Sequence, residues 1–262
     1  MKLKVDGKAV FAATGGKPLQ REQPCVVFIH GAGMNHTVWA MQARYFAHHG
    51  YGVLGLDLPG HGASGGPALE SIDETADWLL RMLDAAKVER ATLVGHSMGG
   101  LIALAAAAAA PERVEKLAIL GGSGTMPVVP ALLELARADD PRAYDLMVLW
   151  GHHLGAQIGG HPTPGLWLMG GSLRLLARGA KGVLATDLAA CNAYSNGFAA
   201  AAKVRCPALL LIGERDVMTP PRAGRALARA IAEAEVAMIP GGGHLVLVEQ
   251  PDALLDALRG FV

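Results

Sequence analysis

Short apolar runs alternate with helix-length segments over most of this chain, and no other feature limits its possible folds so strongly. Residues 26–29 form a continuous apolar run that ends at His30, a pattern typical of a strand buried on both faces. Strands separated by helices build βαβ units. The sequence therefore predicts an α/β fold, with a mostly parallel, doubly wound sheet and helices on both of its faces. Further strands are predicted at residues 51–57, 91–95, 116–120, 207–213 and 235–240, and helices after residues 37 and 71 and at residues 98–110, 221–234 and 252–261.

Two helix starts carry capping signals. Thr37 precedes the apolar pattern of the first helix and is a suitable N-cap residue. Ser71 and Glu74 have the spacing of a capping box, in which each side chain accepts a hydrogen bond from the other residue's free backbone N–H.

Composition and charge narrow the class of protein. The chain has 262 residues, of which 52% are hydrophobic, so it can bury a core without disulfide bonds or structural metals. It has 23 Lys+Arg and 23 Asp+Glu residues with no basic stripe, which argues against a nucleic-acid partner and favours a small, weakly charged or uncharged one. Cys25, Cys191 and Cys206 have neither disulfide-framework nor zinc-site spacing. We interpret them as small buried apolar residues in a reducing compartment.

The ends and apolar runs of the chain bear on its location. The first residues lack the apolar stretch of a secretion signal. The longest apolar run, residues 101–110, is about half as long as a membrane-spanning helix. A cytoplasmic location without membrane contact is therefore predicted, and the oligomeric state is left open.

The regular alternation lapses between residues 123 and 203. This stretch is rich in proline and glycine and contains helical fragments but no convincing strand. We interpret residues 123–203 as a helical lid (cap) insertion, and residues 1–122 and 204–262 as the α/β core.

The strongest local signal is the sequence Gly-His-Ser-Met-Gly at residues 95–99, where a predicted strand runs into a helix almost without a loop. A serine in such a turn is strained and exposes its hydroxyl group, and the flanking glycines let strand and helix approach closely. Ser97 is therefore the candidate nucleophile. The alternative is an ordinary glycine-rich connection.

A second Gly-x-Ser-x-Gly pattern, at residues 62–66, lacks this context. Pro59 and Gly60 have already ended the preceding strand, and Pro67 follows where a helix would have to begin. Ser64 is therefore interpreted as a loop serine.

A serine nucleophile needs a base, and the base needs an orienting acid. His244 follows three glycines after the last predicted strand, and Asp216 follows the strand before it. Taken alone, neither residue is distinctive. With Ser97 they lie at the carboxyl ends of three separate strands, in the order serine, aspartate, histidine. We predict these three as the catalytic triad, with Glu214 as the alternative acid.

These motifs resemble those of the α/β-hydrolase superfamily of esterases, lactonases, cofactor-free haloperoxidases and aminopeptidases, over nearly the whole chain. Residues 30–33 resemble its oxyanion loop, residues 57–64 the loop after its fourth strand, and residues 244–251 its histidine segment. The resemblance is specific to the superfamily but not to one activity.

The resemblance implies that the backbone N–H groups of Ala32 and Met98 form an oxyanion hole. Met98 would open a helix, where unpaired N–H groups and the helix dipole favour negative charge. The neighbouring His30 and His96 are interpreted as packing or hydrogen-bonding residues. No metal or organic cofactor is implied.

The leading functional prediction is hydrolysis of a small to medium carboxylic ester or lactone through an acyl-enzyme, with this small molecule as the partner. Three rival activities would use the same triad. They are carbon–carbon bond hydrolysis of a ring-cleavage product, with Arg174 or Arg178 over the site, cofactor-free haloperoxidase or perhydrolase activity, and iminopeptidase activity. A non-catalytic small-molecule receptor is the alternative from a different class.

Two groups of residues in the predicted lid have open roles. Four bulky apolar residues either bind substrate or form the lid's own core: Met147, Trp150, Trp167 and Met169. His152, His153 and His161 invite a metal site, but no cysteine accompanies them and no carboxylate has ligand spacing. A lid surface facing solvent or substrate is the favoured interpretation.

Overall fold

The computed structural model describes residues 1–20, 22–160 and 165–262. Its strands in these residues are β1 Lys2–Val5, β2 Lys8–Ala13, β3 Cys25–Ile29, β4 Gly52–Leu56, β5 Ala91–His96, β6 Val114–Leu120, β7 Ala208–Gly213 and β8 Ala234–Ile239. They form one eight-stranded sheet in the order β1-β2-β4-β3-β5-β6-β7-β8. Strands β3 to β8 run parallel, while β1 and β2 pair antiparallel with their neighbours. The predicted α/β class with a mostly parallel sheet is confirmed.

The described residues form twelve α-helices, most of which lie between or after the strands of the parallel sheet. They are α1 Ala40–Ala47, α2 Ile72–Ala86, α3 Met98–Ala109, α4 Pro130–Arg137, α5 Arg142–Gly151, α6 Leu154–Gln157, α7 Leu168–Ala177, α8 Val183–Ala193, α9 Gly197–Ala201, α10 Pro221–Arg229, α11 Val246–Glu249 and α12 Pro251–Phe261. None of these helices combines the length and the apolar character needed to span a membrane.

The sheet separates two hydrophobic cores. Side chains of a strand point alternately to its two faces. Val27 and Ile29 of β3 accordingly join a cluster with α2 and α3 on one face, whereas Val26 and Phe28 join a cluster with α1 and α12 on the other. The prediction of helices on both faces is confirmed.

An N-terminal hairpin extends the sheet, and the apolar pattern did not predict it. β1 and β2 are joined by Asp6 and Gly7, whose φ angles are 50° and 75°. Two adjacent residues with positive φ match the right-handed twist of a tight hairpin. β2 then pairs antiparallel with β4 at the edge of the parallel strands.

The helix starts differ in part from their predicted caps. The side chain of Asn35, not that of Thr37, provides the first cap, because it accepts a hydrogen bond from Thr37 N at 3.0 Å and begins a 3₁₀ turn ahead of α1. Ser71 caps α2 as predicted, since its Oγ accepts a bond from Glu74 N at 3.1 Å. The Glu74 carboxylate reaches one residue further and accepts a bond from Glu70 N at 3.3 Å, so the capping box is only half formed.

Two helices near the C-terminus also depart from prediction. α10 ends at Arg229 and not at residue 234, because the chain must turn before β8 begins at Ala234. The short helix α11 was not predicted and lies between the histidine loop and α12.

The three cysteines are buried and free, as predicted for small apolar side chains. Burial raises the pKa of the Cys25 thiol to about 12, so it stays protonated and unreactive at neutral pH.

Helices α4 to α9 lie between β6 and β7, and the described part of this stretch contains no strand. Helices α8 and α9 pack against α3, and α5 packs against α7. The division into an α/β core and a lid at residues 123–203 stays a prediction.

Candidate active site

Ser97 occupies the turn between β5 and α3 with a strained backbone, at φ 53° and ψ −119°. Positive φ is uncommon for a residue with a side chain and persists only where the surroundings impose it. At Ser97, the surroundings that impose it are closely packed backbone atoms of the neighbouring strand and helix. A Cβ atom at Gly95 would collide with the carbonyl oxygen of Gly99, and one at Gly99 with the carbonyl oxygen of Ile29. Strand and helix approach this closely only because both positions are glycine.

Two cavities meet at Ser97. The first cavity, of about 400 Å³, extends along α7, and the second, of about 470 Å³, extends towards α4 and residues 126–129. Ala32, Ser97 and His244 line both of them. Within the described residues, no hydrogen bond joins Ser97 Oγ to the His244 ring. Such nucleophile–base bonds are often long before substrate binds, so shared lining of the cavities is the relevant observation.

Asp216 and His244 form a buried pair at the carboxyl ends of β7 and β8, and each is 3% exposed. His244 Nδ1 lies 2.9 Å from Asp216 Oδ2. A carboxylate can only accept a hydrogen bond, so Nδ1 carries a proton, and in the neutral ring the lone pair lies on Nε2. The imidazole is thereby in the tautomer that can act as a base through Nε2.

A tight turn holds the Asp216 carboxylate. Oδ1 accepts bonds from Met218 N at 2.9 Å and Thr219 N at 2.8 Å, and Oδ2 accepts one from Thr219 Oγ1 at 2.6 Å. Burial acts to raise the pKa of Asp216, but His244 and the bonds from Thr219 outweigh it, and the pKa lies below its usual value. Thr219 was missed by the sequence analysis. The signal for it is the aspartate three residues earlier, whose side chain closes a turn on its own backbone.

The predicted oxyanion donors lie beside Ser97. A Cβ atom built on Gly31 would stand 3.3 Å from Cβ of Ser97, so the loop after β3 passes directly over the serine. Ala32 follows in this loop, and Met98 is the first residue of α3. Within the described residues, neither backbone N–H is bonded to another group of the protein. Both are available to a negatively charged oxygen.

Two buried histidines hold the loops of the site through backbone hydrogen bonds, as predicted. His96 Nε2 donates to the carbonyl oxygen of His244 at 2.9 Å. His30 Nδ1 donates to the carbonyl oxygen of Gly31 at 2.9 Å, and its Nε2 accepts a bond from Leu58 N at 3.2 Å. Burial lowers the pKa of both rings to about 3, so both are neutral.

Asp187 of α8 makes a buried contact with the loops of the site that the sequence analysis missed. Its Oδ2 accepts bonds from Gly33 N at 2.7 Å and from His61 Nε2 at 2.8 Å. His61 Nδ1 lies 2.9 Å from the carbonyl oxygen of Pro59, so both ring nitrogens face acceptors and the ring is cationic. Burial acts to lower the pKa of His61, but the Asp187 carboxylate more than offsets this and the pKa is raised. The ion pair joins α8 to the loops that follow β3 and β4.

Glu249 of α11 is hydrogen-bonded to the turn that carries His244. Its Oε2 accepts a bond from Gly243 N at 2.6 Å, and its Oε1 accepts one from His153 N at 2.8 Å. Burial raises the pKa of Glu249 to about 7, although both N–H donors favour the charged form. The sequence analysis included this residue in the histidine segment without giving it a role.

The alternatives to the triad residues have other partners. Ser64 Oγ donates to the carbonyl oxygen of Asp57 at 2.7 Å and accepts a bond from Phe11 N at 2.9 Å. The exposed Glu214 carboxylate accepts a bond from Gly241 N at 3.1 Å. Neither residue lines either cavity.

The four candidate substrate-binding residues divide between the cavities and the core. Met147 lines both cavities, Trp150 lines the second and Trp167 lines the first. Met169 lines neither and packs half-buried against the hydrophobic core. Trp167 has extended backbone just before α7, whereas Met169 is the second residue of that helix.

The histidines of the predicted lid have structural partners where the structure describes them. His152 Nδ1 donates to the carbonyl oxygen of Val148 at 3.0 Å, and His153 Nδ1 accepts a bond from Gly155 N at 2.9 Å at the start of α6. His161 lies outside the described residues. Within the described ones, no group of three or more His, Cys, Asp or Glu residues is arranged to hold a metal ion.

Comparison with known protein families identifies the class of this chain. The family model described as "alpha/beta hydrolase fold" matches residues 24–159, and the model described as "TAP-like protein" matches residues 185–262. The chain belongs to the alpha/beta hydrolase family.

Individual relatives are similar over almost the whole chain. The pimeloyl-[acyl-carrier protein] methyl ester esterase of Chromobacterium violaceum is 32% identical over 241 residues, which cover 90% of this chain and 92% of that one. The (E)-2-((N-methylformamido)methylene)succinate hydrolase of Acinetobacter baylyi is 25% identical over 249 residues, covering 93% and 92%. The crystal structure of the enol-lactonase from Burkholderia xenovorans has a TM-score of 0.89 at 25% identity and covers 100% of this chain and 99% of its own. These relatives support hydrolase activity for this chain.

Proposed function

We propose that the chain is a serine hydrolase that cleaves small to medium carboxylic esters or lactones through an acyl-enzyme. The observation that carries this proposal is the buried Asp216–His244 pair, whose histidine lines the same two cavities as Ser97 in its strained turn. An acid–histidine pair that faces the same cavity as a serine hydroxyl is the arrangement that activates serine.

In the proposed reaction, His244 Nε2 takes the proton of Ser97 Oγ as this oxygen attacks the carbonyl carbon of the ester. The negative charge that develops on the carbonyl oxygen is stabilised by the N–H groups of Ala32 and Met98. His244 then gives its proton to the leaving alkoxide, and the alcohol departs. Water, deprotonated by the same imidazole, attacks the acyl-enzyme, and the acid leaves as Ser97 regains its proton.

The relatives support the choice of substrate class. One is named as a methyl ester esterase, one as an enol-lactonase and one as the hydrolase of a substituted succinate. Ester and lactone cleavage have the same tetrahedral intermediate, so one oxyanion site serves both.

Residues 123–203 are proposed to act as the lid over this site. Met147 of α5, Trp167 beside α7 and Leu188 of α8 line the cavities together with residues of the α/β core. A substrate in either cavity would thus contact both parts of the chain.

Covalent labelling with a fluorophosphonate tests the proposed nucleophile. We expect one adduct, on the peptide that contains Ser97, and we expect Ser97→Ala to lose both the adduct and hydrolysis of p-nitrophenyl esters. Ser64→Ala is the matched control from the second Gly-x-Ser-x-Gly sequence, and it should label normally. A folded wild-type protein that stays unlabelled and hydrolyses no ester would favour a non-catalytic receptor.

Carbon–carbon bond hydrolysis is the second candidate, because Arg174 and Arg178 line the first cavity. A ring-cleavage product carries carboxylate groups that guanidinium groups bind well. Consumption of a ring-cleavage dienoate at a rate above that of the best ester would move the assignment to this reaction.

A further inference from the structure

The two cavities that meet at Ser97 have different chemical linings. Apart from the residues that both share, the second cavity is lined by apolar side chains and Thr219. Its apolar residues include Leu132, Trp150 and Leu188. Among the described residues, no arginine, lysine, aspartate or glutamate lines it. This cavity suits a neutral, apolar part of a substrate.

The first cavity contains positive charge without negative charge. Arg174 and Arg178 line it, and no aspartate or glutamate of the described ranges does. Within the described residues, no carboxylate lies within ion-pair distance of either guanidinium group, and residues 161–164 contain no acidic residue. The two arginines are both exposed.

The two charges lie on one side of α7. Residues four positions apart on a helix are neighbours on its surface, and like charges at this spacing repel each other. The carboxyl end of a helix favours cations, which accounts for arginines at the end of α7. The helix dipole does not explain why both arginines line the same cavity as Ser97.

We propose that the substrate is an ester or lactone with two unlike arms, an apolar arm in the second cavity and a carboxylate-bearing arm held by Arg174 and Arg178 in the first. This proposal rests on the proposed hydrolase function and adds the substrate class to it. A carboxylate binds guanidinium groups through paired N–H···O bonds, and two adjacent guanidinium groups match one carboxylate better than a single cation does.

Matched substrates test the charge of the arm. The first series contains monomethyl esters of dicarboxylic acids of graded length, beside methyl esters of monocarboxylic acids of equal length. The second contains acetyl esters of hydroxy acids, beside acetyl esters of the corresponding alcohols. In one of the two series, we expect kcat/KM to be roughly five- to tenfold higher for the acid-bearing ester than for its neutral counterpart. Two exposed ion pairs acting on one carboxylate would give a difference of about this size. The series in which this occurs identifies the acyl or the alcohol side as the anionic arm.

Variants then assign the preference to the arginines. Arg174→Gln and Arg178→Gln, made singly and together, should raise KM for the acid-bearing ester more than KM for the neutral ester, and so reduce the ratio of the two kcat/KM values. Arg137→Gln, on α4 and away from both cavities, is the matched control and should keep the preference. Rising ionic strength should reduce the preference of the wild type, because exposed charges are screened.

The outcomes separate this proposal from the hydrolase function. Equal kcat/KM for acid-bearing and neutral esters, or a preference that survives the double substitution, would overturn the anionic arm while Ser97 still hydrolyses esters. If the wild type hydrolyses no ester and Ser97 stays unlabelled, the hydrolase function fails. Calorimetric titration of Ser97→Ala with the monomethyl esters then decides the arginines' role: binding lost on removing both arginines supports it, and no binding overturns it.

Discussion

The two oxygens of the Asp216 side chain have different partners, and this difference determines what an amide would do at that position. Oδ1 accepts bonds from two backbone N–H groups, so the oxygen of an asparagine would occupy its place. The amide NH₂ would then face His244 Nδ1, where Oδ2 stands 2.9 Å away. The imidazole would have to accept at Nδ1 and carry its proton on Nε2, where it can no longer act as a base.

We therefore expect Asp216→Asn to lower kcat for ester hydrolysis by roughly 10⁴-fold with little change in substrate binding. Steady-state kinetics on a p-nitrophenyl ester measure both quantities. Glu214→Gln is the control on the same loop, and its exposed side chain bonds Gly241 N instead of the imidazole, so turnover should stay close to wild type. If Glu214→Gln were the crippling substitution and Asp216→Asn the mild one, the acid of the triad would be Glu214.

At the scale of elements, the packing of α3 against the sheet depends on single glycines. A methyl group at Gly99 would meet the carbonyl oxygens of Ile29 and His30, which belong to backbone that the parallel sheet holds in place. Gly171 of α7 is the opposite case, since a Cβ there would meet nothing within 4 Å. We therefore expect the backbone around Gly99 to reject alanine and the open space beside Gly171 to accept it.

Gly99→Ala should destabilise the fold by about 1–3 kcal/mol through overpacking. Gly171→Ala should stabilise it by about 0.5–1 kcal/mol, because alanine loses less backbone entropy in a helix. Chemical denaturation of both variants beside wild type measures these shifts. An equal gain for both would show that β3 and α3 are not in close approach at Gly99.

The elements that could be predicted from sequence are those defined by neighbours along the chain. The buried run before His30 and the glycines around Ser97 both depend on residues within a few positions of each other, and the corresponding strand and turn were found. The hairpin at Asp6-Gly7 was also signalled locally, but β1 and β2 contain charged and exposed residues at the sheet edge, so no apolar run marked them. The sequence left Met169 open between a substrate pocket and a core, because residue type alone does not decide which apolar side chains reach a cavity.

At the scale of the whole molecule, prediction fails where the contact is distant in sequence. Asp187 and His61 are 126 residues apart, and no local pattern connects them. Their ion pair nevertheless links α8 to the loop that contains Gly33, next to Ala32. The position of α8 and the shape of the loop beside Ser97 are therefore linked through one buried charge pair.

Asp187→Asn isolates the charge of this pair. Oδ2 alone accepts both hydrogen bonds, so the oxygen of an asparagine can take its place and keep the bonds from Gly33 N and His61 Nε2. The other groups around His61 do not replace the lost charge. The ring of His30, tilted by 55° against that of His61, is neutral, and Asp57, bonded to His36, adds only the smallest of the contributions that raise the pKa of His61. The substitution should lower the free energy of unfolding by about 1.5–3 kcal/mol at mildly acidic pH, as for a buried hydrogen bond between charged groups.

The pH dependence of that loss follows from the raised pKa of His61. A histidine whose pKa is higher in the folded than in the unfolded state contributes its full stability below the unfolded value, and this contribution is lost as pH rises through the folded value. The difference in melting temperature between wild type and Asp187→Asn should accordingly be largest near pH 5–6 and shrink towards alkaline pH, past the usual histidine pKa of about 6.5. Asp84→Asn, which removes an exposed ion pair with Arg113, is the control and should cost little at any pH. A gap that widens with rising pH would mean that His61 is neutral in the folded protein, and that α8 is joined to the core by hydrogen bonds without a charge pair.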